Sequence, residues 1–297
     1  PMRVPCPLAA DNDPLADAAA RREHVERALD AQPPGGWELA LAYGLVQRWF
    51  TPTVTGAGNL PEAPALFVGN HGLFAIDGLV LLPLMLHDYG RFLRPMGDRF
   101  LFAERHLADF LVSHGATLGH PEVCAALMEA RQDVLVFPGG AHEAVKSARE
   151  KYRLQWKDRH GFVRLAARHG YPIVPFALVG PDDFYAHLVE GEALLDSAPG
   201  RWLQRAGVLP ASLRRDLVPP LARGSLGTLL PRPEPCYLAF AEPLDLAALR
   251  GKRVGKARLG AYRDEIAGRI ERELARLLAR RERERHARGL LRRVLTL

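Results

Sequence analysis

Two side chains in the stretch Leu66 to Gly78, LFVGNHGLFAIDG, have the types needed for proton transfer: His71 and, six positions on, Asp77. A carboxylate that accepts a hydrogen bond from one ring nitrogen fixes the imidazole tautomer and leaves the other nitrogen as a general base. At that spacing the two do not share a face of one straight helix. The pair therefore needs a bend, which Gly69, Gly72 and a change from strand to helix allow. Without the pairing, His71 is a core imidazole satisfied by a backbone carbonyl.

A second stretch, Val134 to Lys146 (VLVFPGGAHEAVK), repeats the design. Its apolar run through Phe137 reads as a buried strand, and Pro138, Gly139 and Gly140 as a turn whose bare backbone can approach a ligand. Taken alone, that block reads equally as a surface turn after a core strand. Glu143 and Asn70 are candidate positioning groups. A third stretch, Tyr171 to Gly180 (YPIVPFALVG), reads as a strand flanking the site.

In this order the blocks resemble the lysophospholipid (glycerolipid) acyltransferase superfamily, over residues 52 to 245. VGNHGLFAIDG resembles its first block, a His followed shortly by an Asp, with five residues between them here where four are usual. VLVFPGGAHEA resembles the block that elsewhere reads F-P-E-G-T-R, with Gly139 where the Glu usually stands. Both departures are similar to the branch holding diacylglycerol acyltransferase-like and phytyl-ester-synthase-like proteins.

The resemblance implies an α/β fold, a mixed sheet flanked by helices, with N-terminal helices and a basic C-terminal helix. It implies transfer of a fatty acyl group from a thioester to a hydroxyl of a lipid acceptor. His71 would take the hydroxyl proton and Asp77 would hold the imidazole. Asn70, Gly72, Phe137, Pro138, Gly139, Gly140 and Glu143 would line the substrate site, with backbone N–H groups near Gly139, Gly140 or Gly72 holding the oxyanion. No covalent acyl-enzyme is needed, and no cofactor beyond the co-substrate, acyl-CoA or acyl carrier protein.

The acceptor is read from Gly115 to Gly119 (GATLG), where the superfamily places a Gly-led strand ending in the arginine that grips a phosphate. Here that position is Gly119, followed by His120. A phosphomonoester is best held by a bidentate guanidinium, so the expected acceptor is a neutral glyceride or alcohol, unless Arg94, Arg99 or Arg105 reaches in. The alternatives are a lysophospholipid or 1-acylglycerol-3-phosphate acyltransferase, a thioesterase, and a non-catalytic lipid-binding protein.

The elements that must carry these residues follow from the rest of the chain. Its 297 residues, 48% hydrophobic and 25% charged, describe a globular protein with a sizeable core. Residues 1–50 read as a leader that is not a secretion signal, followed by helices over Leu15 to Leu29 and Trp37 to Phe50. Leu41, Leu45, Val46 and Trp49 fall on one face of the second. That helix either packs on the core or lies at a membrane interface, anchored by Trp37, Trp49 and Phe50. Residues 51–249 form the catalytic domain, with PDDFY (Pro181 to Tyr185) at the rim and a helical insertion over Leu188 to Leu230.

Residues 250–297 hold sixteen Lys or Arg against six Asp or Glu. Apolar residues from Tyr262 to Leu278 recur at helical spacing, and the tail from Arg281 suits an anionic membrane surface. Lys146, Arg149, Lys151, Arg153, Lys157 and Arg159 form a second basic run, either a solvated face or a collar for the donor's phosphates or lipid head groups. No nucleic-acid fold accompanies the charge. Three scattered cysteines (Cys6, Cys124, Cys236) fit a reducing compartment, hence a cytoplasmic protein, peripheral on the inner face of the membrane. His106, His114, His120 and His142 lack metal-pair spacing, and no metal is expected.

Overall fold

The structure, a computed structural model, describes residues 15, 17–102, 104–198, 201–202 and 218–285. The leader, Cys6, residues 199–200 and 203–217 of the residue 188–230 insertion, and the last twelve residues of the tail lie outside that set. Helices α1 (Ala18–Asp30) and α2 (Gly36–Phe50) precede strand β1 (Thr53–Thr55). Then come β2 (Leu66–Gly69), α3 (Asp77–Tyr89), β3 (Leu93–Gly97), α4 (Arg105–Ser113), β4 (Thr117–Leu118), α5 (Pro121–Glu129) and β5 (Asp133–Val136). A short α6 (Ala141–Ala144), α7 (Gly161–His169) and β6 (Ile173–Val179) follow. The described part of the insertion includes an antiparallel ribbon, β7 (Ala186–Val189) with β8 (Leu221–Arg223), and a short helix, α8 (Gly191–Asp196). The chain closes with β9 (Tyr237–Phe240) and α9 (Lys256–Glu284).

Seven strands form one mainly parallel sheet in the order β1-β9-β6-β2-β5-β3-β4, with β1 and β9 running against the other five. The central strands β2 and β6 are buried along their whole length, which explains why both read as unbroken apolar runs and not as alternating ones. Alternate residues serve opposite faces. Leu66, Val68, Val134 and Ala177 pack beneath α5, α7 and α9, while Phe67, Leu135, Phe176 and Phe240 pack against α2 and α3. Pro175 sits inside the interior strand β6 because its pairing with β9 begins one residue later, at Phe176, so no bond to β9 needs the missing N–H.

Two elements are placed differently from their sequence reading. The stripe on α2 does not pack as one face: Val46 and Phe50 are buried, whereas Trp37, Leu41 and Leu45 are exposed. Of the three suggested anchors only Trp37 faces outward, since Trp49 donates to the Pro231 carbonyl (2.8 Å) and Phe50 stacks on Phe184. The basic run is not one solvated face either. Lys146 is buried on Asp182, Lys151 pairs with Asp183, and Arg159 is bound to backbone.

The chain leaves β2 through α3 on one face of the sheet and leaves β5 through α7 on the other. β2 and β5 are neighbours, so their carboxyl ends open between the diverging connections, where ligands of open α/β sheets bind. His71 and Phe137 follow these two strand ends.

Candidate active site

His71 and Asp77 meet. The Nδ1–H of His71 donates to Asp77 Oδ2 at 2.8 Å, the carboxylate being the acceptor that sets the tautomer, and the lone pair stays on Nε2. Asp77 is fully tied, because Oδ2 also accepts from the Gly72 N–H (3.0 Å) and Oδ1 from the Gly78 N–H (3.1 Å). It opens the first turn of α3, where the helix dipole favours a negative charge by about 0.3–1 kcal/mol. The carboxylate side chain is 1% exposed and the imidazole 12%, so the imidazole is reachable from solvent and the carboxylate is not.

The bend that joins them is not made by glycine. Phe74 (φ 58°) and Ala75 (φ 57°) take the left-handed conformation, which costs a side-chain-bearing residue about 1–3 kcal/mol and persists only where the surroundings impose it. The glycines are needed for space. A Cβ on Gly69 would lie 2.3 Å from the Phe176 ring, and one on Gly72 2.6 Å from Pro181 Cβ.

The strain is held by buried groups gripping the backbone on either side. Glu143 Oε2 accepts from the His71 N–H and Oε1 from the Gln155 N–H, both at 2.7 Å. Lys146 Nζ donates to the His71 carbonyl (2.6 Å) and to Asp182 Oδ2 (3.0 Å). Asp182 Oδ1 in turn accepts from the Leu73 N–H (3.0 Å), and its Oδ2 from the Tyr152 N–H (2.7 Å). Burial pushes the Glu143 carboxyl above the usual carboxylate range, against the pull of the Gln155 N–H, Lys146 and the His71 N–H. Asp183 ties the same loop to α9. Burial acts to raise its pKa, but Arg281 and Lys151 overcome that and hold it below the usual value.

The Asn70 side chain bonds to β6, donating to the Leu178 carbonyl (2.9 Å) and accepting from its N–H (2.8 Å), which extends the β2–β6 ladder past Gly69. Phe137 stacks on the His71 ring, centroids 4.1 Å apart and planes within 10°. Pro138 and Gly139 turn their carbonyls to Arg159 Nη1, at 2.8 and 2.7 Å. The Gly140 N–H donates to the Phe137 carbonyl (2.9 Å) and the Gly72 N–H to Asp77, so both are spent inside the protein.

Lys146 and Asp182 escaped the sequence reading as site residues, the first lost in a basic run and the second assigned to a rim. Their partnership spans 36 positions and has no local signature. Among the arginines considered for a phosphate, Arg94 is buried and donates to the carbonyls of Gly115 (2.9 Å) and Ala28. His120 caps α5, accepting from the Glu122 N–H (3.2 Å), and a Cβ on Gly119 would press on the Gly97 carbonyl at 3.0 Å. Cys124 is buried, its thiol pushed up to about 12 by desolvation. No group of three potential metal ligands occurs among the described residues.

Comparison with known proteins matches residues 95–212 to the family described as diacylglycerol acyltransferase. That span holds the Pro138–Gly140 turn, Glu143, Lys146 and Asp182, and lies beyond His71 and Asp77. Over that span the chain is similar to this family. It is 33% identical to the chloroplastic phytyl ester synthase 1 of Arabidopsis thaliana over 44% of this chain and 20% of that protein. It is 32% identical to the "DGAT1/2-independent enzyme synthesizing storage lipids" of Gallus gallus, over 43% of this chain and 38% of that protein. An uncharacterized protein of Mycobacterium tuberculosis is 30% identical over 79% of this chain and 64% of its own length. The chain thus spans less than two thirds of each of these relatives.

Proposed function

We propose that this protein transfers a fatty acyl group from a thioester to the hydroxyl of a neutral lipid acceptor, a glyceride or a long-chain alcohol. The observation that carries this reading is the imidazole whose Nδ1–H is held by a buried carboxylate while its other nitrogen lies at an accessible ring edge.

In the proposed reaction His71 Nε2 removes the acceptor's hydroxyl proton as the oxygen attacks the thioester carbonyl, and the negative charge moves to the carbonyl oxygen. Asp77 holds the imidazolium that forms, a general-base role worth about 10²–10⁴ in rate. The tetrahedral intermediate then collapses, the C–S bond breaks, and the leaving thiolate takes the proton from Nε2, so the imidazole returns neutral. With the Gly72 and Gly140 N–H groups engaged elsewhere, the Gly139 N–H is the remaining candidate donor to the oxyanion.

The neutral acceptor is supported by the structural employment of Arg94, Gly119 and His120, and by relatives whose names refer to phytyl esters and storage lipids. No helix among the described residues is long and apolar enough to cross a membrane. The exposed Trp37, Leu41 and Leu45 on α2 and the basic chain end support peripheral contact with an anionic bilayer, on its cytoplasmic side. Mass-spectrometric detection of acyl transfer from acyl-CoA to mono- or diacylglycerol or a long-chain alcohol tests the proposal, and acylation of lysophosphatidate alone would reassign the acceptor.

A further inference from the structure

An apolar strip runs along the outside of α2 and continues onto a loop beside the active site. Trp37, Leu41 and Leu45 are exposed at four-residue spacing, and the next residue of that row, Trp49, donates to the Pro231 carbonyl at 2.8 Å. Pro231 ends the loop that follows β8, residues 224–231, in which Leu226, Leu229 and Leu230 are 65%, 82% and 54% exposed. The loop also reaches the site. The Tyr185 hydroxyl donates to the Leu229 carbonyl at 3.0 Å, and its ring meets Phe74 edge to face, centroids 5.2 Å apart. Phe74 stands between His71 and Asp77 in the chain and is itself exposed.

Leucines on a slack loop can fold back against the protein, but this loop is closed by its own hydrogen bonds. The Ser225 N–H donates to the Leu230 carbonyl and the Gly224 N–H to the Thr228 carbonyl, both at 2.7 Å, and the Thr228 hydroxyl donates to the Ser225 carbonyl at 2.8 Å. The closure is tight, since a Cβ on Gly224 would lie 1.9 Å from the Leu230 carbonyl oxygen. Leu226 takes the left-handed conformation (φ 52°), which a leucine keeps only where its surroundings impose it. The backbone thus holds apolar side chains in water, and contiguous surface of that kind marks a contact with membrane or partner. Charge decides between them. From Val218 to Pro233 the charged residues are Arg223 and Arg232, with no acid, which suits leucines sunk beneath anionic head groups.

We propose that residues 224–231 sink Leu226, Leu229 and Leu230 into the bilayer while α2 lies along its surface, and that the lipid acceptor passes to His71 beside this loop, by way of Tyr185 and Phe74. The proposal rests on the peripheral acyl-transfer reading. It goes beyond that reading by naming the segment that enters the lipid and the side from which the acceptor comes.

Cosedimentation of the full chain with vesicles of phosphatidylcholine and phosphatidylglycerol tests the loop without any turnover, so a failure of the acyl-transfer chemistry does not obscure the result. Leu226→Ser with Leu229→Ser should melt with wild type, because both side chains are exposed, and should bind the vesicles about tenfold more weakly. A nitrobenzoxadiazole probe on Leu229→Cys, in a Cys6→Ser background, should brighten and shift to the blue when vesicles are added. Wild-type vesicle binding by the folded double variant, aqueous emission from the probe on vesicle-bound protein, or no vesicle binding by the wild type would overturn the proposal. So would a solution dimer that the double variant dissociates, which would give the leucines to a second copy of the chain. In the transfer assay, with diacylglycerol carried in the vesicles, the double variant should raise KM more than it lowers kcat, and a loss confined to kcat would remove the loop from the acceptor's route.

Discussion

Gly139 and Glu143 share one volume. A Cβ built on Gly139 would lie 2.2 Å from the carboxyl carbon of Glu143, which occupies the space beneath the turn in order to reach the His71 N–H. The glycine is thus required by a carboxylate four residues on that arrives under the backbone. Gly139→Ala should push Glu143 aside and cost on the order of 1.5–3 kcal/mol, the worth of a charge-assisted hydrogen bond. Thermal unfolding reads that loss, and an alanine variant as stable as wild type would show that Glu143 has other room.

The buried Lys146–Asp182 pair should matter through the shape of the loop. Lys146→Met leaves Asp182 charged and unpaired in a dry setting, and removing one partner of such a pair costs about 3–5 kcal/mol. The double change Lys146→Met with Asp182→Asn should recover part of it, because the asparagine needs no counter-charge and can still accept from the Leu73 N–H. Denaturant unfolding of the two singles and the double closes the cycle. Additive losses would mean the ion pair carries no coupling.

The central strands, the flanking helices and the His71–Asp77 pairing were legible because each is written locally, as an apolar run, a helical period or a short spacing. What escaped depends on residues far apart in sequence. Nothing near Phe74 announces a left-handed backbone, since the conformation is imposed by Glu143, Lys146 and Asp182 gripping its neighbours. The face that α2 buries likewise depends on where α3 and the loop at Pro231 lie, which its own periodicity does not contain.

Acid should loosen the N-terminal helix. His24 on α1 accepts the Leu118 N–H at Nε2 (3.1 Å) and lies 2.8 Å from the Thr117 hydroxyl, so the ring must keep a lone pair there. Burial, with help from Arg27, lowers its pKa below 6.5. In the unfolded chain it titrates near 6.5, so below that pH the unfolded state binds the proton that the folded state refuses. Its contribution is therefore complete above pH 6.5 and declines as pH falls toward the lowered folded value. Compared by thermal melting at pH 7.5 and 5.5, wild type should lose part of its advantage over His24→Gln, and an advantage equal at both would contradict the account.

The pairing of His71 with Asp77 is tested most directly by acyl transfer itself. Wild type, His71→Ala and Asp77→Asn would be incubated with a long-chain acyl-CoA and a pool of monoacylglycerol, diacylglycerol, lysophosphatidate and a long-chain alcohol, with esters quantified by mass spectrometry. A folded His71→Ala protein should form no ester above the uncatalysed rate, and Asp77→Asn should lose about 10²–10⁴-fold, with neutral esters as the wild-type product. Transfer that continues at the wild-type rate in the folded His71→Ala protein would contradict the assignment of this imidazole as the base.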